Sequence, residues 1–133
     1  MWVSMPLIIK AKMTKDNFDK LIEEAKKEFR WDYLERTYKF DGTFFSMESC
    51  ELDDFDIQSE AAMIVKYVEP TARPIGLIYW GCGSYTVGYL HVNNGEPIFP
   101  TKAISIYCAC SNIDIAKRNY RKAKKYFLRN IDK

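Results

Sequence analysis

The stretch from Ile75 to Val92, Ile-Gly-Leu-Ile-Tyr-Trp-Gly-Cys-Gly-Ser-Tyr-Thr-Val-Gly-Tyr-Leu-His-Val, is the one the remaining chain has to pack around. It reads as two strands joined at Gly81-Cys82-Gly83-Ser84, rich in β-branched and aromatic residues and uncharged unless His91 is protonated. Ile75, Leu77 and Tyr79 fall on one parity, Ile78 and Trp80 on the other. A strand with one wet face alternates apolar and polar residues. A strand that is apolar on both parities belongs in the middle of a sheet, with cover on both faces.

The flanking sequence supplies further strands and two amphipathic helices. Leu7–Met13 reads as a strand with Ile9, Ala11 and Met13 on one face and Lys10 and Lys12 on the other. Thr14 is a suitable N-cap, because its hydroxyl can accept from the free amides of the following turn. From there a helix is expected to run to about Tyr33, with Phe18, Leu21, Ile22, Ala25 and Phe29 as its apolar stripe. Thr37–Phe40 and Thr43–Met47 form an expected hairpin around Asp41-Gly42. Residues 48–60 read as a loop or short helix, and Ala62–Val68 as a strand by its alternation. Two prolines in Glu69–Pro74 make that segment a connection. Asn93–Pro97 reads as a turn, Pro97–Pro100 as extended, and Ala103–Cys110 as the last strand. Ser111 is the expected cap of a final helix whose stripe is Ile113, Ala116, Tyr120, Ala123, Phe127 and Ile131. The order of elements predicts one α+β domain over residues 1–133, a mostly antiparallel sheet with the two amphipathic helices packed on one face.

Net charge is only +2, so the whole-chain balance selects no partner, but the charges are segregated. Residues 48–60 hold six acids (Glu48, Glu51, Asp53, Asp54, Asp56, Glu60) and no base, whereas residues 112–133 hold eight bases and two acids. Such separation creates local fields that steer charged partners. Four cysteines (Cys50, Cys82, Cys108, Cys110) come without a recognisable secretory leader and without a membrane-length apolar run. The expectation is a cytoplasmic protein with reduced thiols and no membrane association, with Met5 an alternative start to Met1. Strongly apolar strands make a homo-oligomer a further expectation.

The final helix is the best candidate for a functional surface. Lys117, Arg118, Arg121, Lys122, Lys124, Lys125 and Arg129 lie within thirteen residues on the side away from the apolar stripe. A row of cations suits a phosphate backbone, since each neutralised phosphate releases condensed counterions. Tyr126 adds a possible stacking surface. A solvated helix whose C-terminal cations favour the macrodipole would carry the same residues. No helix-turn-helix, zinc-finger or RNP-type pattern accompanies the cluster, so base-specific readout is not expected. This predicts a small non-enzymatic binding or inhibitor protein, of the kind phages and mobile elements encode, that meets a nucleic acid or a protein with an acidic surface.

Two other readings compete. Tyr79, Trp80, Tyr85 and Tyr89, with Arg118 or Arg121, would line a site for a nucleotide-like anion between sheet and helix. Cys82, at a glycine-flanked tip, would serve as a nucleophile, but only with His91, the sole histidine, which lies roughly 25 Å along the return strand at ordinary strand rise. Cys108 and Cys110 lack the spacing of a zinc knuckle, and Asp53, Asp54 and Asp56 lack the glycine and terminal glutamate of a calcium loop. No phosphate-loop or dinucleotide motif is present, so no cofactor is expected.

Overall fold

The computed structural model describes residues 5–51, 54–82, 84–92 and 104–130. In chain order these form β1 (Met5–Lys12), α1 (Lys15–Ala25), α2 (Trp31–Thr37), β2 (Lys39–Phe40), β3 (Phe44–Glu51), α3 (Asp54–Val65), β4 (Gly76–Cys82), β5 (Ser84–Leu90), β6 (Ile104–Cys110) and α4 (Ile113–Arg129). The strands make one antiparallel sheet in the order β2-β3-β1-β4-β5-β6. The fold is α+β, as the order of elements predicts. The expected turn at 93–97, the extended 97–100 segment and Ile131 lie outside the described residues.

Strand alternation divides the core in two. Leu7 pairs with Ile78 and Ile8 with Leu77, so odd positions of β1 share a face with even positions of β4. On that face Leu7, Ile9, Phe45, Met47 and Ile78 pack with Leu21 and Ala25 of α1, Leu34 of α2, and Ala61, Ile64 and Val65 of α3. On the opposite face Leu77, Tyr79 and Val87 pack beneath Ala116 and Ala123 of α4. The first and last helices therefore take opposite faces instead of sharing one. The physical reason is the double-sided apolarity of β4: a single helical layer would leave Leu77 and Tyr79, or else Ile78, in water.

Other local expectations change in instructive ways. The helix expected over 15–33 stops at Ala25, and a second, seven-residue helix begins at Trp31. The break lets Leu34 and Tyr38 reach the sheet, where both are buried. Residues 62–65 are helical, not extended. Ala61, Ile64, Val65 and Val68 are all buried, and their i, i+3, i+4, i+7 spacing is the helical pattern. Asn112, not Ser111, caps α4: its side chain accepts from the amides of Asp114 and Ile115. In β6 a register shift opposite Val87 and Gly88 breaks the simple parity. Cys108 therefore faces α4 with Val87, while Ile106, 63% exposed, falls on the other side.

Two glycines have steric assignments. Gly42 adopts φ +100° in the β2–β3 hairpin, where Asp41 accepts from the amides of Thr43 and Phe44. Gly76 sits where β4 crosses closest to β1, and a Cβ there would lie 2.6 Å from the Ile8 carbonyl oxygen. Because that obstacle is backbone of a central strand, it cannot rotate away. Gly76→Ala is expected to destabilise the fold by about 1–3 kcal/mol, the usual cost of overpacking. Chemical denaturation measures this, and an unchanged midpoint would contradict the tight β1–β4 approach.

Candidate nucleic-acid interface

α4 owes its position to its stripe. Ala116 and Ala123 are fully buried, Phe127 is 3% exposed, and Tyr120 meets Tyr79 edge-on with ring centroids 5.6 Å apart. Alanines at the contact let the helix approach the sheet closely, and the flanking aromatics fix its rotation. Every residue on the opposite side must then face solvent. Lys117, Arg118, Arg121, Lys122, Lys125 and Arg129 are all exposed. They span about 18 Å from Lys117 to Arg129 at the α-helical rise.

Lys124 differs from the other six. It is half-buried at the edge of the helix and pairs with Glu48 of β3 at 3.1 Å. None of the other six has an ion pair among the described residues. Tyr126 is 59% exposed, with its ring against Tyr89 at 6.2 Å between centroids. The helix thus presents six unpaired cations with an aromatic beside them. Since its axis is pinned to the sheet along its length, this face offers only a shallow ridge. A ridge of cations meets a phosphate backbone and does not reach base edges deep in a groove.

The competing sites are not assembled. Tyr79, Tyr85 and Tyr89 do gather beneath α4, but Arg118 and Arg121 stand on the helix's outer side. The side chains of Trp80, Cys82 and Cys50 lie outside what is described. Cys82 pairs with Ser84 at one end of the β4–β5 hairpin, and His91 follows Leu90, which pairs with Gly76 at the other end. The two are roughly 20 Å apart along the strands at ordinary rise. His91 Nε2 lies 2.8 Å from Ser105 Oγ, and burial holds its pKa below the usual value, so it is neutral at pH 7. Among the described residues no three His, Cys, Asp or Glu side chains form a group able to hold a metal, and no helix is long and apolar enough to cross a membrane.

One buried carboxylate escapes the sequence reading. Glu60, counted there with the acidic stretch 48–60, is 1% exposed. The hydroxyls of Tyr33 and Tyr38 donate to it at 2.7 and 2.8 Å. Tyr33 Oη also lies 3.0 Å from Ser49 Oγ, and with its own proton committed to Glu60 it accepts there. The helical spacing of Glu60 with Ala61 and Ile64 was the available signal. Burial first, then the charge of Glu60, pushes Tyr38 well above the usual phenol range.

Compared with known proteins, the chain has no significant match to any family model, curated protein or solved structure.

The titrating groups define a pH window for stability. Lys66, then Tyr67, hold Glu24 below its ordinary 4.5, and the amides of Phe44 and Thr43 hold Asp41 below 3.8. Carboxylates depressed in the folded state stabilise above those values and lose their contribution as pH falls through the lower folded ones. Tyr38, Tyr67, Tyr79 and Tyr89 are raised above 10.0, so their contribution is complete below pH 10 and disappears as pH rises beyond it. His91, held below 6.5 by burial, resists protonation in the folded state, so stability also falls as pH drops below that value. Thermal unfolding across the pH scale is expected to show a plateau from about pH 7 to 10 with a fall on each side. A melting temperature still rising above pH 10 would contradict the tyrosine environments.

Proposed function

We propose that the chain is a non-enzymatic binding protein that holds the phosphate backbone of a nucleic acid against the outer face of α4. The observation that carries this reading is the single-sided row formed by Lys117, Arg118, Arg121, Lys122, Lys125 and Arg129, exposed and without carboxylate partners among the described residues. Six cations brought together on one rigid face repel one another. A partner that neutralises them gains both the relief of that repulsion and the release of its own counterions. Tyr126 gives an unpaired base a surface to stack on. Lys124, tied to Glu48, contributes less than the other six.

The reading is tested by fluorescence anisotropy with labelled single-stranded and duplex oligonucleotides over a range of salt. Binding at low ionic strength is expected to weaken linearly on a log–log plot, with a slope of about −0.9 per phosphate contacted on duplex. Arg118→Glu/Lys122→Glu/Lys125→Glu is expected to abolish binding, while Lys124→Gln costs less than any single change among the six. Failure of the wild-type protein to bind either oligonucleotide at low salt would end the proposal. It would leave an acidic protein surface as the complementary partner for the same face.

A further inference from the structure

A second cationic concavity lies on the α4 side of the sheet, beyond the C-terminal end of that helix. β1 alternation puts Lys10 and Lys12 on this face, and both ammonium groups stand over the Phe44 ring, 5.7 and 6.0 Å from its centroid. The third cation, Arg73, comes from the connection between α3 and β4. That connection is fastened to β1 at both ends: the Glu69 amide donates to the Lys12 carbonyl at 3.0 Å, and the Lys10 amide donates to the Ile75 carbonyl at 2.9 Å. Pro70 and Pro74 restrict the span between these anchors, and the Arg73 amide donates to Thr71 Oγ1 at 3.2 Å. The result is a concavity of about 580 Å³ with walls held in place before any ligand arrives.

Its charge is unbalanced. Two carboxylates stand nearby, Glu69 in the wall and Asp41 on the hairpin. Yet Lys10, Lys12 and Arg73 have no ion pair among the described residues. Three cations around one hollow of small-ligand size favour a multiply charged anion. Phe44 has its face turned to ammonium groups, so it is not free to stack on a base. Recognition here is of charge, not of a ring.

We propose that the Lys10–Lys12–Arg73 concavity is a binding site for a phosphate or polyphosphate group. The site stands independently of the function proposed for α4. The group can come from a free phosphate compound or from a nucleic-acid backbone that continues off the helix. The two surfaces are close: Lys10 also lines a neighbouring groove of about 310 Å³ that includes Leu128 of α4.

The test is a ¹H–¹⁵N titration of the full chain with inorganic pyrophosphate. Shifts are expected to concentrate on the amides of Lys10, Lys12, Thr43, Phe44, Thr71 and Arg73. Lys10→Gln/Lys12→Gln, and separately Arg73→Gln, are expected to weaken pyrophosphate about tenfold or more, the loss typical of a charge-assisted contact. Arg118→Glu/Lys122→Glu/Lys125→Glu is expected to leave pyrophosphate binding intact. That variant separates this site from the α4 reading, because it removes the helix surface alone. Displacement of pyrophosphate by a short oligonucleotide assigns the site to a phosphodiester backbone. Retention under saturating oligonucleotide assigns it to a free phosphate compound. Shifts scattered over the lysines of α4, or an affinity unchanged in both concavity variants, would overturn the site.

Discussion

The β1–β4 contact governs the architecture. β1 and β4 meet with Ile9 opposite Gly76 and Ile8 opposite Leu77, and Leu7, Ile8, Ile9, Leu77 and Ile78 are each no more than 5% exposed. A pair of strands apolar on both sides cannot be solvated on either. Burial of one large aliphatic side chain is worth about 1.5–3 kcal/mol, so leaving the two or three such residues on one face of this pair bare would cost a large share of a domain's stability, about 5–15 kcal/mol. Helices must cover both sides, and among the described residues three lie on one face and one on the other. α4 alone carries its side, which explains why its stripe is so regular and its packing residues so small.

Having one helix on that face also decides where charge can go. The cations of α4 cannot turn inward without displacing Ala116, Ala123 or Phe127 from the sheet. They form a surface because the core fixes the rotation of the helix. On the opposite face the accounting is different. There Glu60 of α3 is buried beside Tyr33 of α2 and Tyr38, and a buried carboxylate is tolerated only when it is hydrogen-bonded. Tyr33 and Tyr38 both donate to its Oε2, and each brings a large apolar ring to the same place: Tyr38 packs edge-on against Phe45 at 5.3 Å between centroids, and Tyr33 against Tyr38 at 6.3 Å. The polar cluster is therefore built from residues that also fill the core.

Much of this was legible in the sequence, for identifiable reasons. The double parity of Ile75–Trp80 announces cover on both faces, and the stripe of α4 forces its cations outward whatever the partner helix does. The α3 segment was open to misreading, because Ala62–Val68 alternates like a strand while Ala61, Ile64, Val65 and Val68 repeat like a helix. Short apolar runs satisfy both patterns, and the extra length reaching back to Asp54 is what decides for helix. The break after Ala25 has no local mark, since neither proline nor glycine stands between Lys15 and Phe40. It is imposed by where Leu34 and Tyr38 must land. The concavity at Phe44 was beyond sequence reasoning for a similar cause. Arg73 joins Lys10 and Lys12 only through backbone bonds between segments far apart in the chain.

The even face of β1 records where α4 ends. Ile8 is buried on that face, with Leu128 of α4 lining the adjacent groove, while Lys10 and Lys12, the next two positions on the same side, are cationic. The switch from apolar to charged comes next to the groove that Leu128 of α4 lines. It also comes at the helix's C-terminal end, where the macrodipole presents partial negative charge. Lys10 and Leu128 share that groove with Glu48, whose carboxylate is already paired with Lys124 of the helix. The same dipole attracts these cations only weakly and falls off within a turn. It therefore lowers the cost of keeping the surface basic without consuming its capacity to meet an anion. A glutamate at position 10 would remove both the repulsion and the attraction for anions. A lysine there keeps the surface basic, and the fold makes that arrangement tolerable.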